Sequence, residues 1–142
     1  LLNIGPQPNG QLPALALDRL KHLGEWMSTY GTTLYGSQAG PVKPCEWGAT
    51  TEKNSTIYAH ICPADTAKMP AAITIPTHTK PKAPTHSPTR PQPTYTHMDK
   101  KPKAVTHFPS GTKVAYTYKN KLLTIDVPAN PTTPDHVIAI KR

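Results

Sequence analysis

Acid–base, metal or thiol chemistry in this 142-residue chain would have to draw on eight carboxylates, seven histidines and two cysteines. The carboxylates are Asp18, Glu25, Glu46, Glu52, Asp65, Asp99, Asp126 and Asp135. Asp18 and Glu25 fall on the polar side of a helical pattern, and the others lie in strand and turn sequence. Charge complementarity and solvation account for each, and no pair among them is nominated for catalysis. His78, His86, His97 and His107 are widely spaced, without the tight spacing of a zinc site, so no metal is expected. His60 reads as an ordinary strand residue. Folding a hairpin about Lys53, Asn54 and Ser55 brings Cys45 and Cys62 close to opposite each other. A Cys45–Cys62 disulfide fits that geometry, and so do two partly buried free thiols, because a one-residue register shift moves the pair onto different faces. Asn54-Ser55-Thr56 is a glycosylation sequon at the turn, with meaning only in a eukaryotic secretory pathway, whereas Asn130-Pro131-Thr132 is excluded by its proline.

The elements that must carry these groups begin with a buried strand end, Leu1 to Ile4, stopped by Gly5-Pro6. A chain opening in an apolar run, without a basic leader, reads as part of something longer and not as a signal peptide. Gln7-Pro8-Asn9-Gly10 has turn chemistry, and Pro13 suits a helix start, where its missing N–H costs nothing. From Ala14 to Tyr30, the residues Ala16, Leu20, Leu23, Met27 and Tyr30 recur at three- and four-residue steps, which predicts an amphipathic helix stopped by Gly31. After Gly36 the period changes to two. Trp47–Glu52 and Ile57–Cys62 form one predicted hairpin, and Lys113–Tyr118 and Leu122–Val127 a second about Lys119-Asn120-Lys121. Ala72–Ile75 and His136–Ile140 add short strands. Strand, loop and helix followed by short strands define an α+β chain with a mainly antiparallel β-sandwich.

Composition qualifies this picture. Hydrophobic residues make up 36% and aromatics 6%, thin for a core using the whole length. Proline, at 18 residues, excludes long helices and central strands wherever it clusters. It clusters in residues 77–102, a Pro/Thr/His tract read as an extended, disordered, low-complexity insert. The net charge of +8 permits polyanion binding. The basic residues from Lys80 to Lys121 alternate with Pro and Thr, without a nucleic-acid-binding signature, so no nucleic acid is expected as a partner. No apolar run is long enough to span a bilayer.

Several stretches, in this order and spacing, resemble glycoside hydrolase family 29, the α-L-fucosidases. They are Leu1-Leu2-Asn3-Ile4-Gly5-Pro6, Pro8-Asn9-Gly10, Leu23-Gly24-Glu25-Trp26-Met27 and Tyr35-Gly36-Ser37, followed by Glu46-Trp47-Gly48-Ala49-Thr50-Thr51-Glu52-Lys53 and Ile57-Tyr58-Ala59-His60. Residues 103–142 match more loosely, through Ser110-Gly111-Thr112-Lys113-Val114 and Asp135-His136-Val137-Ile138. The resemblance implies that residues 1–40 close a catalytic (β/α)8 barrel with its last strand and helix, and that residues 41–142 are the C-terminal sandwich interrupted by the insert. The tract at 77–102 departs from the family pattern; a true insertion and a frameshift both remain open.

The resemblance also implies a retaining glycosidase acting on fucosylated glycans through its barrel, with no cofactor. The catalytic Asp and Glu of the family lie upstream of Leu1, so the chain alone is expected to be inactive. The parent protein is expected to be secreted, periplasmic or lysosomal. Asn3 would sit near the end of the eighth barrel strand, where such barrels build their sites; satisfying the Gly5-Pro6 loop is its favoured role, and substrate contact the alternative. Trp26 is expected to be buried, whereas Trp47 is a substrate-proximal candidate. A non-catalytic carbohydrate-binding or structural β-module is the competing reading.

Overall fold

The computed structural model describes residues 3–63, 69–76, 101–127 and 135–142. The expected insert therefore lies outside the described residues except at 101–102, as do Asp65, Asp99, His78, His86 and His97. The chain forms two compact units, 1–32 and 33–142. The expected domain boundary at residue 40 falls inside the second.

In the first unit the turn and helix form where the sequence places them. Gly10 adopts φ +80 and donates to the Gln7 carbonyl, and the Asn9 side chain accepts from Gln11 N–H. Helix α1 spans Ala14–Tyr30, with Pro13 at its N-cap. The Pro13 carbonyl accepts the first helical bonds, from Ala16 and Leu17. Gly31 does not end the helix by turning left-handed. It stays right-handed and leads into a 3-10 turn, Gly31–Thr33, and the left-handed residue arrives at Gly36, with φ +68. No α1 residue is buried, and Leu15, Leu17 and Leu23 are exposed.

Among the described residues the second unit contains eight strands. Strands β1 (Gln38–Ala39), β2 (Gly48–Lys53), β3 (Thr56–Ile61), β8 (His136–Lys141) and β5 (Ala104–Phe108) form one sheet in the order β1-β2-β3-β8-β5. Strands β4 (Ala72–Pro76), β7 (Leu122–Asp126) and β6 (Tyr116–Lys119) form the other, in the order β4-β7-β6. Every pairing between these strands is antiparallel. Alternation along the strands sends Ile57, Ala59, Ile61, Ile138, Ile140 and Val105 from the first sheet, and Ile73, Ile75, Leu123 and Ile125 from the second, into one core. Each fully buried aliphatic side chain contributes about 1.5–3 kcal/mol relative to exposure, which is how so few aromatics suffice.

Both hairpins turn on two residues with positive φ, Asn54-Ser55 and Asn120-Lys121. This primed turn matches the twist of the flanking strands. It is one residue tighter than the three-residue turns the sequence suggests, so β2 runs to Lys53 and pairs it with Thr56. The second hairpin is shorter than expected. Val114 N–H donates to the Val105 carbonyl, and Thr106 bridges Lys113, so residues 113–114 border the first sheet before the chain crosses to β6.

Candidate functional site

Pairing register assigns each functional side chain a place. In β2, Thr50 and Glu52 share the core-facing side, with Glu52 opposite Ile57 and buried. An isolated carboxylate cannot remain charged there, and Arg142, one residue beyond β8, ion-pairs with Glu52 Oε1. Glu52 Oε2 has no hydrogen-bond partner among the described residues.

The opposite side of β2 and β3 carries a second polar group, centred on His60. Its Nδ1 lies 3.5 Å from Asp135 Oδ2, and its Nε2 lies 3.4 Å from both Thr33 Oγ1 and Thr51 Oγ1. The Thr51 hydroxyl itself donates to the Thr33 carbonyl at 2.8 Å. His60, Asp135 and Thr33 are all buried. One assignment satisfies the set: Nδ1–H donates to Asp135, and Nε2 accepts from the Thr33 hydroxyl. A hydroxyl, imidazole and carboxylate in this order could in principle activate a nucleophile. Burial of Thr33 at 0% exposure leaves no room for a substrate beside its oxygen. The group instead ties residues 33, 51, 60 and 135 together.

Glu52 and Asp135 are the buried acids among the described residues, and they sit at opposite ends of the first sheet. Glu52 opposes Ile57, while Asp135 precedes His136, which opposes Ile61. Five residues of strand separate them, about 16 Å at ~3.3 Å per residue, against about 5–5.5 Å for a retaining carboxylate pair. Asp18, Glu25, Glu46 and Asp126 are exposed, and Asp18 lies 3.8 Å from His22 one helical turn away.

Of the candidates read from the sequence, Asn3 is exposed in the first unit. Trp47 is half-buried and packs against the sandwich core. Trp26 is also half-buried, stacked on Tyr30 with ring centroids 5.3 Å apart. Cys45 and Cys62 are free and exposed. The register gives the reason. Gly48 exchanges two backbone hydrogen bonds with Cys45, while the neighbouring Trp47 carbonyl accepts from Cys62 N–H. Successive residues of a strand point their backbone groups to opposite edges, so the two cysteines flank β2. Partial burial and the Asp135 carboxylate push the Cys62 thiol pKa up. His107 and His136 share the core-facing side, ring centroids 5.9 Å apart, and burial, with His136 adding to it, pushes the His107 pKa down. Among the described residues no three His, Cys, Asp or Glu side chains converge to hold a metal, and no helix is long and apolar enough to cross a membrane.

The sequence reading missed an exposed ring. Tyr35 is 66% exposed, and its carbonyl accepts from Lys53 Nζ at 2.7 Å.

The described architecture is thus a small α+β chain dominated by two antiparallel sheets. Comparison with known proteins names the class more closely: the chain resembles the α-L-fucosidases in sequence and in fold. It is 33% identical over 64 residues to an α-L-fucosidase of Dictyostelium discoideum, a match covering 43% of this chain and 14% of that protein. α-L-Fucosidase isoenzyme 1 of Paenibacillus thiaminolyticus superposes with a TM-score of 0.68 at 24% identity, over 99% of this chain and 30% of that one. An α-L-fucosynthase of Thermotoga maritima gives 0.63 at 25% identity, over 99% and 29%. The family 29 enzyme of Bacteroides thetaiotaomicron gives 0.68 at 19%, over 98% and 27%. The chain therefore spans less than a third of the length of these relatives. No protein-family profile matches it.

Proposed function

We propose that this chain is the C-terminal part of a retaining α-L-fucosidase that releases α-linked L-fucose from glycans. On this reading residues 1–40 supply the last strand and helix of a catalytic (β/α)8 barrel, and residues 41–142 supply the sandwich that supports it. The observation that carries the reading is the 64-residue match to the Dictyostelium discoideum enzyme. The separation of the two buried carboxylates supports assigning the chemistry to barrel residues outside this chain. A retaining glycosidase needs one carboxylate to attack the anomeric carbon and a second, close by, to protonate the leaving oxygen. Glu52 is held by Arg142 and Asp135 by His60. Neither faces a cleft with the other, and the chain alone is inactive.

The test compares this chain with the full-length protein on a nitrophenyl α-L-fucoside. The full-length protein is expected to release nitrophenol, and the 142-residue chain none. Turnover by the chain alone would overturn the placement of the carboxylates. A full-length protein that binds glycans without cleaving them would favour a non-catalytic carbohydrate-binding module.

A further inference from the structure

We infer that His107 and His136 form a two-imidazole binding site for a first-row divalent cation such as zinc. Strand pairing makes the site from residues far apart in the chain. His107 in β5 opposes Ile138, and His136 in β8 opposes Ile61, so the two rings are diagonal neighbours on the core-facing side of the sheet. Their centroids are 5.9 Å apart and their planes are inclined at 73°. With zinc–nitrogen bonds of about 2.0–2.1 Å and each ring centre about 1.1 Å behind its nitrogen, two imidazoles on a tetrahedral ion stand about 5.2 Å apart, centre to centre. The observed separation is slightly wider, and a small rotation of the half-buried His107 ring closes it.

The state of the His136 ring points the same way. His136 is 2% exposed, and both its nitrogens are buried without a hydrogen-bond partner. A neutral imidazole carries one N–H and one lone pair, and folded interiors rarely leave such groups unanswered. A cation takes up the lone pair. His107 is arranged to meet the same ion. Its Nδ1 lies 3.4 Å from Ser110 Oγ, and an Nδ1–H donated there leaves the Nε2 lone pair available, as outer partners commonly do for ligating histidines. Ligation needs neutral rings, and burial together with His136 favours that state for His107. The exposed part of His107 gives the ion its entry path. Among the described residues no third His, Cys, Asp or Glu joins the pair. Water therefore completes the coordination, and the ion is held more weakly than in a four-ligand structural centre. Magnesium, which calls for oxygen ligands, is rejected. The inference is independent of the fucosidase reading.

The test titrates the intact 142-residue chain with zinc chloride by isothermal calorimetry, with magnesium chloride as control. One zinc per chain is expected at the tightest site. His107→Gln and His136→Leu should each weaken it by about 100-fold or more, since even the outer partners of ligating histidines are worth roughly 10–100-fold. His107→Gln changes a half-buried position, so it decides the question if His136→Leu does not fold. Saturating zinc should raise the urea midpoint of the parent chain and leave that of His107→Gln unchanged. Copper(II) in place of zinc should show hyperfine coupling to two imidazole nitrogens by electron paramagnetic resonance, and to one in His107→Gln. The double variant Cys45→Ser with Cys62→Ser, and the triple variant His78→Gln, His86→Gln and His97→Gln, should bind zinc as the parent chain does. Absence of binding would overturn the inference. So would zinc affinity that survives His107→Gln, that falls in either control variant, or that magnesium matches, each of which means an adventitious ion only.

Discussion

Removing the Arg142 side chain should destabilise this fold by leaving a buried carboxylate without its counter-charge. Glu52 sits on the core-facing side of β2 with its side chain 5% exposed, and Arg142 pairs with one of its oxygens while remaining 21% exposed. The other carboxylate oxygen has no hydrogen-bond partner among the described residues, so the pair is all that offsets the desolvation of a full charge. Breaking a buried pair by deleting one partner typically costs about 3–5 kcal/mol. The fifth of Arg142 left in water places Arg142→Ala at the lower end, about 3 kcal/mol. With a urea slope of about 1.5 kcal/mol per molar, the unfolding midpoint should fall by about 2 M. Replacing both partners by apolar residues, Glu52→Leu with Arg142→Met, should recover most of that loss, because an apolar pair of similar volume needs no desolvation. Urea titrations of the parent chain, the two single variants and the double variant complete the cycle. If Arg142→Ala costs less than about 1 kcal/mol, or the double variant is no more stable than the single one, the carboxylate is hydrated and the argument from burial fails.

Other consequences follow from backbone geometry and titration. Gly48 holds φ +141, and a Cβ there would overlap the His60 carbonyl oxygen across the hairpin; Gly48→Ala should cost about 3 kcal/mol and lower the thermal midpoint by roughly 10 °C, and a change under 2 °C would contradict the register at this point. His107 is held neutral by burial and by His136, so the unfolded chain binds the extra proton first as pH falls. Stability should therefore drop below about pH 6.5, and His107→Gln should flatten that acid limb in pH-dependent urea midpoints. The Cys62 thiol is held protonated by partial burial and Asp135, so stability associated with it should fade as pH rises through the ordinary thiol range, about 8.5. At pH 7.5 iodoacetamide should modify Cys62 more slowly in the folded chain than in urea; equal rates by peptide mass mapping would refute the cause given for its shift.

Much of the local structure was legible in the sequence because it is set by period and turn residues. The apolar repeat from Ala16 to Tyr30 placed α1 at its observed bounds, and the polar turns between period-two stretches located both hairpins. The turns were displaced because Ser55 and Lys121 both take positive φ, a state for which neither residue type signals strongly. What could not be read were the long-range pairings. β8 lies between β3 and β5, yet nothing in the local pattern of His136–Lys141 distinguishes a central strand from an edge. The same blindness hid the sites. His60 reads as an ordinary strand residue until Asp135, 75 positions later, is brought to 3.5 Å.

The two units differ in how they meet the physical cost of folding, and that difference bears on where activity can reside. The sheets of 33–142 enclose their own apolar core and satisfy their charged interior with Arg142–Glu52 and His60–Asp135. Among the described residues, Glu52 Oε2, Asp135 Oδ1 and both His136 ring nitrogens are buried without a hydrogen-bond partner. Helix α1, in contrast, buries no residue and leaves Leu15, Leu17 and Leu23 exposed. An isolated helix of this length is marginal in water, and most helical stability in proteins comes from packing an amphipathic face. The front segment therefore has the sequence of a helix that packs an amphipathic face. On the proposed reading, the exposed leucines of α1 are the face that packs against the rest of the barrel.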